Sequence, residues 1–234
     1  MGSFPQSIVH YLPVTDHDER WGIVCTTAGY QNVPPGSPYP LTQHSDSYSF
    51  TRSRGRVLGE YQLLYIVSGQ GEFRSASSPA APVKAGTVVM LFPDEWHTYA
   101  PDPETGWEEW WVGFRGENID RRVAEGFFSP KTPLLHIGHS AGIVSCYQEI
   151  IRSAEEERKG FQQLVTGIVL HLLGSVLFKR DNLQYLDNPI VEKINRAREM
   201  MRRHIGDNLP PEEIARRLNI GYTWFRRTFR AYVG

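Results

Sequence analysis

The stretch Glu60–Ala76, EYQLLYIVSGQGEFRSA, carries the first evidence of fold class. Its apolar and aromatic residues come in short runs broken by glycine. Ser68-Gly69-Gln70-Gly71 has the composition of a turn, because glycine tolerates positive φ, and the stretch reads as two strands joined there. The pattern continues downstream. VKAGTVVMLFP (83–93) gives a strand after Gly86 that Pro93 ends, and WEEWWVGFRG (107–116) gives another from Trp107 to Phe114. Several short strands between Gly/Pro turns predict a β-sandwich or small barrel rather than an α/β fold.

The second half of the chain changes period. Ile143, Tyr147, Ile150, Ile151 and Ala154 recur at helical spacing. Phe161, Leu164, Val165, Ile168, Leu172, Leu173, Val176 and Leu177 do so again, after a break near Gly160. A third helix is expected from Asn188 as N-cap and Pro189 at N1, with Ile190, Ile194, Ala197 and Met201 on one face and an end at Asp207–Pro210. The fold class expected is therefore α+β. A β domain over 1–135 is followed by a helical linker and dimerisation region over 136–187, and a terminal helical unit over 188–234.

Composition narrows the function. The formal net charge is −1, but Pro189–Gly234 holds ten Lys/Arg against five Asp/Glu, a net of +5 that leaves −6 for the rest. A basic end on an acidic body points to a polyanion partner for that end alone. Cys25 and Cys146 are the only cysteines and have no CxxC spacing, so neither a disulfide framework nor a zinc site is indicated. The N-terminus lacks an apolar signal segment. The most apolar run, Phe161–Phe178, is interrupted by Gln162, Gln163, Thr166, His171 and Ser175, so a cytoplasmic protein with no membrane span is expected.

The last residues, PPEEIARRLNIGYTWFRRTFRAY (210–232), read as two short helices around Asn219-Ile220-Gly221. Pro211 suits N1, and Glu212 and Glu213 suit the positive helix end. Ile214, Leu218, Phe225 and Phe229 face inward, while small Ala215 permits a close crossing. Such a pair with an exposed basic second helix has the helix-turn-helix arrangement that fits a DNA major groove. A plain helical hairpin with a solvated basic face has the same composition. The order of residues from Ile194 to Gly234 closely resembles the first helix-turn-helix of the AraC/XylS family of bacterial transcription regulators. The likeness is carried by Ile214-Ala215, Leu218, Gly221, Phe225, Arg227 and Phe229. Gly221 stands where that family commonly has a Ser N-cap, and Pro210-Pro211 replace a Ser and a helix former. The resemblance implies a second helix-turn-helix beyond Gly234, so the sequence is expected to hold only part of a DNA-binding domain and to bind DNA weakly by itself. Base reading is expected from Arg226 with Thr223 and Tyr222 nearby, phosphate contact from Arg230, and a partly structural role from Arg227.

More weakly, GQGEF, AGTVVMLFPDEWHTY and GWEEWWVGFRG resemble the cupin-type sensor of sugar-responsive members of that family. Cupin enzymes carry a metal-binding His-x-His on an early strand. Here that strand reads LGEYQLLYIV, and His97 is alone with Glu95 near the second motif, so no metal or other cofactor and no catalysis are expected. A cupin-fold isomerase or dioxygenase with a helical tail is the alternative. Strand alternation puts Trp107, Glu109 and Trp111 on one face and Glu108, Trp110 and Val112 on the other. Aromatic walls with a few polar groups suit a saccharide, although the tryptophans could equally be core. The resemblance implies sugar contacts from Arg54, Tyr99, Glu109 and Trp111, with Trp96 and His97 beside them and Glu109 where a His is usual. SIVHYLPV (7–14) is a candidate arm over the ligand. Val169 and Leu170 lie off the main apolar face of the Phe161–Leu177 helix, which suggests a homodimer.

Overall fold

The fold was read from a computed structural model that describes residues 7–39, 54–183, 189–203 and 209–233. The chain divides into two compact units, Met1–Asp181 and Asn182–Gly234. The expected helical linker over 136–187 thus falls almost wholly inside the first unit. Asn188, Asp207 and the side chain of Ile190, which figured in the expected third helix, lie outside the described residues.

The stretch that reads as a hairpin is one long strand. β3 (Tyr61–Ser75) runs straight through Ser68–Gly71. Its first half pairs with β5 (Thr87–Leu91) and β7 (Trp107–Arg115), and its second half pairs with β4 (Ala81–Lys84) and β6 (His97–Pro101). Along β7 the register shifts between Ile66 and Ser68, and Gly69 follows at φ +80°. The glycines thus bend the strand from one sheet into the other instead of reversing it. They also admit neighbouring backbone: a Cβ on Gly69 would lie 2.1 Å from the Gly106 carbonyl oxygen, and one on Gly71 would lie 2.2 Å from that of Ala100.

Around β3 the main sheet runs β1 (Ser7–Tyr11), β2 (Val24–Val33), β7, β3, β5, β8 (Leu134–His136), with β4 and β6 completing the second layer. SIVHYLPV is therefore not a free arm over its first five residues: Ser7–Tyr11 is an edge strand paired with β2. Two short helices, α1 (Asp16–Glu19) and α2 (Glu117–Ala124), decorate the sheet.

The period of two along each strand divides the first unit into two cores. One face of the main sheet, with Ala28, Tyr30, Leu63, Tyr65, Met90, Trp110 and Val112, packs with α3 (Ala141–Glu156) and α4 (Phe161–Asn182) through Ile143, Tyr147, Ile150, Val165, Val169 and Leu172. Side chains of this size each contribute about 1.5–3 kcal/mol on full burial. The other face encloses Val33, Leu64, Ile66, Phe73, Val89, Leu91, Tyr99, Trp107 and Trp111 between the layers.

α4 is long and apolar enough to cross a membrane by length and composition, with a mean hydropathy of 1.6 despite its polar interruptions. Its Val165, Val169, Leu172 and Val176 are nevertheless fully buried in the first core. Gln162 in its first turn bonds the strand backbone, accepting from Cys25 N (3.0 Å) and donating to Cys25 O and Pro13 O (both 2.9 Å).

The second unit contains α5 (Pro189–Arg203), α6 (Pro211–Arg217) and α7 (Tyr222–Val233). Pro211 opens α6, and Asn219 at φ +51° turns the chain, with Ile220 N closing on Ala215 O at 3.1 Å. A small core of Ile194, Ala197, Ile214, Ala215 and Phe225 holds the three helices together. The whole is α+β, as the strand-then-helix order implies.

Candidate functional site

The enclosed face of the first unit carries polar groups that an apolar core would not need. Arg56 is bridged antiparallel to His97, which fixes its backbone at the start of β6. Its guanidinium donates from Nε to His97 Nε2 (3.2 Å) and from Nη2 to the Tyr99 hydroxyl (2.7 Å). His97 is neutral: burial first, then the Arg56 charge, pushes its pKa down to about 4. Since Arg56 occupies Nε2 as donor, the proton sits on Nδ1, which donates to the Glu95 carbonyl at 3.0 Å. Burial pushes the Tyr99 phenol up to about 12.

Glu109 sits on the neighbouring wall, only 3% exposed. Burial raises its carboxyl to about 8 against the opposing effects of the Tyr39 hydroxyl, which donates to Oε1 (3.2 Å), and the Arg56 charge. At neutral pH the group is therefore largely protonated and can donate as well as accept. Deeper along β3, Gln62 donates to Glu60 Oε1 (2.7 Å), which Thr27 also bonds (3.1 Å), while Thr26 bonds Oε2.

The expected site residues separate into two groups. His97, Tyr99, Glu109 and Trp111 come together on the enclosed face. Arg54 and Trp96 do not join them. Arg54 is exposed, and its carbonyl accepts from Trp96 Nε1 at 3.0 Å. Trp96 lies under the Arg74 guanidinium, 5.7 Å from its ring centre. Arg56, two residues on, stands where Arg54 was expected. Sequence reasoning missed Tyr39 and Gln31, and read Trp107 as an aromatic wall without its buried Nε1–H. Gln31 is 1% exposed and Trp107 2%. Both Gln31 amide atoms, Trp107 Nε1 and Glu109 Oε2 are buried with no hydrogen-bond partner among the described residues. Gln31 lies on β2 opposite Glu109 of β7, a register that the sequence does not signal. Among the described residues no group of three or more His, Cys, Asp or Glu could hold a metal ion.

In the second unit, Tyr222, Thr223, Arg226, Arg227 and Arg230 are all exposed on α7. At about 100° per residue they share one arc of about 140°, and buried Phe225 lies outside it.

The profile of the AraC-like ligand binding domain family matches residues 35–173. The Msm operon regulatory protein of Streptococcus mutans serotype c is 22% identical over 177 residues, covering 74% of this chain and 63% of that protein. The raffinose operon transcriptional regulatory protein RafR of Pediococcus pentosaceus is 29% identical over 94 residues, covering 39% of this chain and 34% of that protein. The chain thus spans less than two thirds of the length of these relatives. Among solved structures, a cupin family protein with a double-stranded β-helix fold from Methanocaldococcus jannaschii is 13% identical, with a TM-score of 0.33 over 51% of this chain and 93% of that one. An apo ToxT variant from Vibrio cholerae is 12% identical, with a TM-score of 0.35 over 96% and 74%.

Proposed function

The chain belongs to the family of AraC-like ligand-binding domains, and from that premise we propose that it acts as a ligand-responsive transcription regulator that senses a saccharide and reads DNA through α7. The observation that carries this reading is the enclosed face of the β unit. It sets Arg56, His97, Tyr99 and Glu109 among Trp107 and Trp111, with hydrogen-bonding atoms left over. Sugars suit such a lining, because C–H faces stack on indoles while hydroxyls donate and accept. The names of the two relatives support operon control, and one of them names raffinose. Binding would change DNA affinity only so far as the sugar prefers one of two states of the protein.

On the DNA side, Arg226 is assigned to base reading, with Tyr222 and Thr223 beside it, and Arg230 to phosphate. Self-association through α4 is part of the proposal, but on other residues than the sequence suggested: Val169 is buried in the first core and Leu170 packs against it, whereas Leu164 and Phe178 are 53% and 68% exposed on that helix. The test is selection of DNA from a random pool, then anisotropy titration with and without raffinose and other saccharides. The reading predicts saccharide-dependent affinity. It also predicts relaxed sequence preference in Arg226→Ala, and a shallower salt dependence, by roughly one phosphate, in Arg230→Ala. DNA affinity indifferent to every saccharide, together with unchanged preference in Arg226→Ala, would refute it.

A further inference from the structure

The unpaired atoms of the enclosed face are not scattered. Ser7 of β1 is the register partner of Gln31 on β2, and Gln31 is the register partner of Glu109 on β7. The three side chains form one row across three strands. Ser7 Oγ, both amide atoms of Gln31 and Glu109 Oε2 are buried there without a hydrogen-bond partner among the described residues. Directly paired residues of an antiparallel sheet stand about 4.5–5.5 Å apart at Cα, so their polar heads fall within reach of one small molecule.

Two indoles flank this row along β7, Trp107 two residues before Glu109 and Trp111 two residues after. Trp111 extends across β2 because Gly29 has no side chain: a Cβ there would meet the indole ring at 2.1 Å. Trp107 adds from the other side its own Nε1–H, which has no partner among the described residues. The row is therefore polar, walled by aromatic faces, and rich in both donors and acceptors.

We propose that Ser7, Gln31 and Glu109 form a row that reads adjacent hydroxyls of an uncharged saccharide, and that Gln31 is the residue that sets ligand specificity. The proposal rests on the saccharide reading above and makes it specific. Gln31 needs an acceptor at Nε2 and a donor at Oε1, and a hydroxyl pair supplies both. Orphaned buried amides are costly to keep, and a native protein rarely tolerates several in one row unless something completes them. A glutamine serving packing alone would be replaced at no loss by an apolar isostere. A glutamine serving a ligand would not.

The experiment follows from that contrast. Wild type, Gln31→Met and Ser7→Ala are titrated by calorimetry with raffinose and with galactose, and each variant is melted without sugar. Methionine keeps the length of glutamine and removes both polar atoms. The expected result is raffinose or galactose affinity lower by roughly 10- to 100-fold in Gln31→Met and by several-fold in Ser7→Ala. Ligand-free Gln31→Met should melt at or above the wild-type temperature, because it no longer buries unpaired groups. Wild-type affinity in Gln31→Met overturns the proposal, as does a ligand-free Gln31→Met that melts well below wild type, since that makes Gln31 structural. Wild type that binds neither sugar nor any other neutral saccharide sinks the saccharide reading itself, a failure seen before any variant is compared.

Discussion

Glu109 is the residue whose chemistry is most altered by its place in the fold. With its carboxyl raised to about 8, the folded state keeps a proton that the unfolded chain loses near 4.5. Between these values the unfolded state binds fewer protons, so stability falls as pH rises and is lowest above pH 8. Glu109→Gln should remove that fall and exceed wild type by an amount on the order of a few kcal/mol at pH 9.5. Urea unfolding of both proteins at pH 6.5, 8 and 9.5 checks this, and parallel curves would show that Glu109 is not held neutral. The pH 6.5 start matters because His97, held down at about 4, contributes the opposite slope below its ordinary value of 6.5. The pairing of Trp107, Glu109 and Trp111 on one face was legible from alternation alone. The choice between Arg54 and Arg56 was not: they stand two apart and share parity, and only the bridge of Arg56 to His97 decides which side chain enters.

At the scale of elements, helices α3, α4, α6 and α7 were readable because their apolar residues recur at helical spacing, even though the buried faces of α3 and α4 also hold Ser153, Gln162 and Thr166. Strand β2 was not, for a physical reason. Its inward residues are Thr27, Gly29, Gln31 and Val33, and the polar and glycine positions among them serve the enclosed face, so the usual alternation is blurred where the site is built. The long β3 was misread as a hairpin because two glycines that admit neighbouring backbone look, in sequence, like two glycines of a turn. Gly69→Ala tests that account: a positive φ and a 2.1 Å approach to the Gly106 carbonyl should together cost about 1–3 kcal/mol or more in urea unfolding. A hairpin tip would accept the change at about 1 kcal/mol or less, so a small loss would contradict the continuous strand. On α7, Arg226→Ala should leave the melting temperature of the helical unit within about 4 °C, since an exposed arginine contributes less than about 0.5 kcal/mol.

The whole molecule is a β unit with its own two cores and a small helical unit with a third. Phe225 is 2% exposed at the centre of the third core. Phe225→Ala should cost that unit about 3–5 kcal/mol and raise amide hydrogen exchange over 189–233, while the amides of β3 and β7 keep their protection. Loss of protection in both units would show a single cooperative body. Self-association through α4 is checked by sedimentation: wild type should dimerise at about 10 μM or below, and Leu164→Glu with Phe178→Glu should be monomeric without loss of helicity. The central claim, that this molecule holds a saccharide inside its β unit, is tested most directly by a crystal structure grown with raffinose. The account predicts sugar density between Trp107 and Trp111, with hydroxyls on Gln31 and Glu109. Density on the outer groove of about 550 Å³ lined by Gln70, Glu72, Lys84 and Asp102, with the interior row left without sugar, would contradict it.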